Sequence, residues 1–131
     1  YNSTAWRRYA GHGNARGMAR IYAALAAGGR LDGYEVVDPA VLAEAVEGSW
    51  NGMDFMTQRP FTMGLGFMRS GPAFSIGPTP RSSRPPGMGG PIAFADPDRR
   101  MSFSYVPNRM HPIANTGPFA TALIEAAYRS L

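Results

Sequence analysis

Two short apolar runs, PIAFAD and MSFSYV, are joined by Asp96-Pro97-Asp98-Arg99, and this pair constrains the chain more than any other stretch. In the second run Met101, Phe103 and Tyr105 alternate with Ser102, Ser104 and Val106. A period of two sends alternate side chains to opposite faces of a strand. Asp and Pro are preferred turn residues, because one bonds its own backbone and the other presets φ. A connection this short can only pair its flanks antiparallel. The fold must therefore contain an antiparallel hairpin with an apolar face in need of cover.

The cover is legible on either side of it. In NARGMARIYAALAAGG, Asn14 is a good N-cap, and Ala15, Met18, Ala19, Tyr22 and Ala26 share one helical face. Gly28 and Gly29 are expected to end that helix, since glycine takes the left-handed cap conformation without strain. Asp32-Gly33 signals a turn, and YEVV reads as a short extended segment. Asp38 caps a second helix with Pro39 at its first position, and Leu42, Ala45 and Val46 form its apolar side. In FTMGLGFMR, Met63, Leu65 and Phe67 alternate with Gly64 and Gly66, which predicts one further strand approached closely by other backbone. A loop rich in Pro and Gly spans residues 70–90. The last segment, GPFATALIEAAYRSL, predicts a helix from Pro118 with an apolar stripe of Phe119, Leu123, Ala126 and Ala127. The expected class is α+β: an antiparallel sheet packed by helices, one of them C-terminal.

The 131 residues suffice for one domain with a real core and not for two. The chain begins at Tyr1 rather than Met, so the expectation is a piece of a longer protein. With no cysteine, disulfide frameworks, Cys-ligated zinc and thiol catalysis are excluded. No apolar run approaches a membrane span. Net charge is +4 and every basic side chain is Arg, scattered from Arg7 to Arg129 rather than clustered as nucleic-acid binding requires. The sequence assigns no compartment, and the cytoplasm is the default.

Chemistry-bearing motifs are sparse. His12 and His111 are the only histidines, and no further ligand stands at metal-site spacing beside either. Asp96 and Asp98 flank Pro97, an arrangement the turn explains, and calcium would want a longer loop with more oxygens. Gly87, Gly89 and Gly90 lack the Lys and the following helix of a phosphate loop. Neither G-x-S-x-G nor S-x-x-K occurs, and a chain without Lys can hold no Ser-Lys pair. From its residues alone the chain is an α+β domain without a complete catalytic set, and no cofactor or metal is expected.

Three segments nevertheless resemble one family. NSTAWRR with GHGNARGMARIYAALAAGGRLDG, then VVDPAVLAEAVEG, then MGLGFM with GMGGPIAFADPDRRMSFSYVPNRM are similar, in this order, to the C-terminal part of the serine β-lactamase and penicillin-binding-protein-like hydrolases. Within these they are closest to the esterase branch related to class C. The resemblance covers nearly all of residues 1–131. It implies a domain whose N-terminal part, with the Ser-x-x-Lys nucleophile and Tyr-x-Asn base, lies upstream; Tyr1-Asn2-Ser3 does not supply the latter.

The resemblance also assigns candidate site residues. The family's third motif, H-x-G or K-T-G on the strand edging the active site, falls on Pro85, Pro86 and Gly87, and Met88 becomes the oxyanion-hole amide. Here the sequence departs from the pattern: proline at the first position has neither an ionisable group nor an N–H. The implied function is ester or amide hydrolysis through an acyl-serine, with a small ester or β-lactam-like substrate and the upstream part of the domain as partner. The chain is not competent alone. A catalytically dead scaffold of the same fold and a self-associating binding domain are the alternatives. Neither a nucleic acid nor a membrane is an expected partner.

Overall fold

The computed structural model describes residues 13–56, 58–71, 76–79, 81–84, 89–110, 112 and 116–131. Helix α1, Ala15–Ala26, starts where Asn14 accepts from the Gly17 amide at 2.9 Å. It ends at two glycines. The Gly28 amide donates to the Leu25 carbonyl and the Gly29 amide to Ala24, with φ of +75° and +94°. Those paired bonds satisfy the last free carbonyls, and only glycine enters this backbone region cheaply. Strands β1, Arg30–Leu31, and β2, Tyr34–Glu35, then pair around Asp32-Gly33. Both turn residues have positive φ, as a two-residue hairpin loop prefers. Helix α2, Pro39–Val46, is capped by the Asp38 carboxylate, which accepts from the Ala40 and Val41 amides. Of its expected apolar side, Leu42 is buried and Ala45 and Val46 half-buried.

Six strands follow in sequence order across one sheet, every neighbouring pair antiparallel. They are β3, Trp50–Met53; β4, Pro60–Met63; β5, Met68–Arg69; β6, Ser83–Arg84; β7, Ile92–Asp96; and β8, Met101–Tyr105. Helix α3, Gly117–Arg129, closes the chain. The expected hairpin is present, with Ile92 opposite Tyr105 and Asp96 opposite Met101.

All five residues of β7 are buried, so the sheet is covered on both faces at this end. On one face α1 places Tyr22 and Ala26 over Ala93 and Ala95, with Met18, Leu25 and Phe67 around them. On the other, α3 lays Ala120 and Ile124 over Ile92 and Phe94, joined by Ile76 and flanked by Met101, Phe103, Tyr105 and Tyr128. The Phe94 ring lies 5.4 Å from Phe103 and 6.3 Å from Tyr128, stacked on both. Burying one large apolar side chain is worth about 1.5–3 kcal/mol, so Phe94, inaccessible to water, is a main anchor of this layer.

Two expectations need correction. FTMGLGFMR is not one strand. Gly64 and Phe67 close a turn, Gly66 takes φ +80°, and the chain reverses between β4 and β5. Alternation of Met63, Leu65 and Phe67 thus came from a hairpin, and Leu65 points into solvent at its tip. The glycine reading holds at Gly64, where a Cβ would stand 2.3 Å from the Ala45 carbonyl of α2. The α3 stripe is also displaced. Its buried residues are Ala120 and Ile124, with Tyr128 half-buried in line, whereas Phe119 and Leu123 are 73% and 47% exposed. The phase of the helix is set by Tyr128, whose hydroxyl is bound beneath it.

Gly64→Ala should therefore lower the unfolding free energy by about 2 kcal/mol or more, the range of overpacking against fixed backbone. Gly71→Ala, where nothing lies within 4 Å of an added Cβ, should stay within roughly 0.5 kcal/mol. Urea melts of the two variants check the contrast.

Candidate functional site

The segment assigned by resemblance, Pro85, Pro86, Gly87 and Met88, lies outside the described residues, so its geometry is approached through what holds its two ends. On the N-terminal side it continues from β6, which sits between β5 and β7: Arg69 pairs with Ser83, and Ser83 pairs with Ala95. On the C-terminal side it enters Gly89 and Gly90, both buried, with φ of +88° and +95°. A Cβ on Gly89 would meet the Met110 Cε at 2.7 Å. Position 89 is thus glycine for its backbone, since the exposed Met110 side chain can swing aside.

Those two glycines form one wall of a cleft of about 750 Å³. It opens between the end of β8 and the first turn of α3. Tyr105, Pro107 and Met110 line one side and Pro118 and Phe119 the other, with Asn108, Arg109 and Thr116 as polar groups. Among the described residues Arg109 has no ion-pair partner. Apolar walls carrying a few polar groups are the usual form of a small-molecule site.

A buried carboxylate fixes this geometry from the far end of β7. Asp96 is fully inaccessible to water. Its Oδ1 accepts from the Asp98 and Arg99 amides, each at 3.1 Å, which closes the β7–β8 turn. Its Oδ2 accepts from the Tyr128 hydroxyl at 2.6 Å and from the Thr79 hydroxyl. Ser82 Oγ lies 2.8 Å from Thr79 Oγ1 and 3.4 Å from Tyr128 Oη. The Ser82 carbonyl in turn accepts from the Ser70 amide, and the Ser70 hydroxyl from the Ile76 amide. One carboxylate thereby joins the hairpin turn, α3 and the segment that delivers β6.

Burial pushes the Asp96 carboxyl up. The donors from Thr79, Tyr128, the Arg99 amide and Ser82 outweigh it and hold the group below the ordinary Asp value. Tyr128 moves the other way: burial and the facing carboxylate push its hydroxyl up to about 12.

Of the other sequence candidates, His12 and His111 lie outside the described residues. Among the described residues no three His, Asp or Glu side chains converge as metal ligands would. Asp96 and Asp98 do not act as a carboxylate pair, because Asp98 turns outward to Arg81 at 3.1 Å. The turn reading of Asp96 was correct but incomplete. Nothing in the spacing marked Thr79, Ser82 and Tyr128 as its partners, since they stand 14 to 32 residues away in the chain. The cleft-lining Asn108 and Arg109 stood in the sequence only as part of a family-like string.

No protein-family model matches the sequence, and no curated protein does. Solved structures do. A penicillin-binding protein homologue from Caulobacter crescentus is 41% identical, with a TM-score of 0.85 over 90% of this chain and 32% of its own. A family VIII carboxylesterase is 34% identical, with a TM-score of 0.84 over 91% of this chain and 32% of its own. EstA from Arthrobacter nitroguajacolicus Rue61a is 28% identical, with a TM-score of 0.72, covering 88% of this chain and 31% of its own. The chain spans about a third of the length of each.

The Asp96–Tyr128 pair has a pH signature. Below the ordinary Asp value the unfolded chain takes up a proton that the folded Asp96 resists, so stability falls as pH drops from about 4 through the folded value. Between pH 10.0 and about 12 the unfolded Tyr128 ionises first, so stability falls there too. Tyr128→Phe should remove that alkaline contribution and cost roughly 1.5–3 kcal/mol at neutral pH, as for a lost hydrogen bond to a charged group. Urea denaturation across pH checks both limbs.

Proposed function

We propose that this chain, which carries the fold of the C-terminal part of the β-lactamase and penicillin-binding-protein-like serine hydrolases, supplies the sheet-edge half of an acyl-transfer site. In this reading an upstream serine attacks the carbonyl of a small ester or β-lactam-like amide, and an upstream base takes its proton. The present chain contributes backbone. Met88 offers an amide N–H where negative charge develops on the carbonyl oxygen, and Gly87 lets substrate lie against the strand. The leaving group departs, and water then opens the acyl-serine.

The observation that carries this reading is the cleft at Gly89 and Gly90. Both glycines line the cleft and directly follow segment 85–88 in the chain. An apolar cleft with Tyr105 and Phe119 facing across it suits an acyl or alkoxy group. The chemistry proposed needs no cofactor.

A second reading has its own observation. Proline at Pro85 removes the ionisable side chain of the family's motif, and Pro85 and Pro86 both lack a backbone N–H. A scaffold without turnover accommodates this change directly. An active enzyme must place the proton-handling role wholly on its upstream residues.

Intact mass with a fluorophosphonate probe separates the parts. The 131-residue chain should take no stoichiometric adduct, whereas a longer protein carrying an upstream Ser-x-x-Lys should take one. In that longer protein Met88→Pro should lower kcat by about 10²–10³, the usual effect of losing one oxyanion donor. Met88→Ala, which keeps the amide, should stay near wild type. Equal rates for the two variants would remove Met88 from the site, and no adduct on the longer protein would favour the scaffold.

A further inference from the structure

We propose that Leu65, at the tip of the β4–β5 turn, is a specificity residue of the acyl-transfer site, an apolar stop that limits the length of one arm of the ester. This deepens the catalytic reading and rests on it.

Strand register places the turn. Met63 pairs with Met68, so residues 64–67 form the link between β4 and β5. Met68, the first residue of β5, lies opposite Arg84, the last of β6. Paired strands run about 4.8 Å apart, and antiparallel ones in opposite directions. The turn therefore lies at the end of the sheet where β6 hands the chain to segment 85–88. The cleft at Gly89 and Gly90 opens on the β8 side, whereas the turn belongs to the β5 side. A carbonyl held at this segment sends its acyl and alkoxy arms in different directions, and only one of them can run toward the turn.

The sequence of the turn leaves one side chain for such a task. Residues 64–67 read Gly-Leu-Gly-Phe. Two of the four have no side chain, and Phe67 packs inward against the layer of Tyr22, Ala26, Ala93 and Ala95. Leu65 is left, 60% exposed. Its neighbours do not crowd it: a Cβ added to Gly66 would meet nothing within 4 Å.

The backbone beneath Leu65 is clamped. The Gly64 amide donates to the Phe67 carbonyl and the Leu65 amide to the Ala45 carbonyl at the end of α2, both at 2.7 Å. Gly64 itself sits against the Ala45 and Glu47 carbonyls with no room for a Cβ, and Phe67 anchors the other end of the turn. A hydrophobic stop sorts chain length only where its support does not yield, and sites are precise when their residues are held from behind. A bare leucine on a clamped turn, at the sheet end that carries the site, meets that requirement.

The test uses the longer protein with an upstream Ser-x-x-Lys. The quantity measured is kcat/KM for two ester series, p-nitrophenyl acetate through octanoate and methyl through octyl acetate. Leu65→Ala should raise the ratio of long to short substrate about tenfold or more in one series, the scale on which a hydrophobic pocket senses methylene groups. The other series should keep its ratio, and Leu65→Phe should lower the ratio that Leu65→Ala raises. Ratios that move in neither series, or equally in both, overturn the proposal, because a wall meets one arm only. So does a drop in Tm on Leu65→Ala that the longer protein shows and the 131-residue chain does not, since Leu65 would then pack on the upstream part. A longer protein that takes no fluorophosphonate adduct removes the catalytic reading itself, and this inference with it. One that takes the adduct but shows no length shift removes Leu65 alone.

Discussion

A buried carboxylate with no ion-pair partner among the described residues organises this molecule. Asp96 carries its charge where water does not reach, and a charge so placed must be compensated by donors. Two come from the turn that follows it, one from α3 and one from Thr79. Because these donors belong to separate segments, satisfying one residue sets the position of all of them. The rotation of α3 is the plainest consequence. With Tyr128 held over Asp96, Ala120 and Ile124 face the sheet and Phe119 is turned toward the cleft.

The same constraint reaches the candidate site through backbone. Thr79 and Ser82 deliver the chain into β6 next to β7, and β6 leads into the segment that the family resemblance singles out. At the other end, Gly89 and Gly90, both at positive φ, lead the chain back to β7. A site that works through main-chain amides depends on such distant supports, because a misplaced donor by about 1 Å already costs catalysis heavily. That logic suits the proposed role of Met88, which would act through its backbone amide rather than its side chain.

Local features were the legible part of the sequence. Asn14, Asp38, Asp32-Gly33 and Gly28-Gly29 each act through bonds within a few residues, and each does what its chemistry implies. The β7–β8 hairpin was legible for the same reason. Where distant partners decide, the reading failed. An alternation of large residues and glycines looked like a strand until Gly66 reversed the chain, and the α3 stripe followed hydrophobicity while Tyr128 followed Asp96. Strands β3 and β6 escaped notice because pairing, rather than periodicity, creates elements of four and two residues. For the candidate site, the family resemblance located the segment, and the glycine wall and the cleft came only from tertiary structure.

Amide hydrogen exchange in wild type and Tyr128→Phe tests most directly whether Asp96 governs the site-bearing segment. Removing the hydroxyl should speed exchange together at Ile76 and Ser82, at Asp98 and Arg99 and along β6, since all hang on the same carboxylate. Exchange that rises only in the last turn of α3, with β6 and the β7–β8 turn unchanged, would show that the network does not hold the segment and would contradict the account.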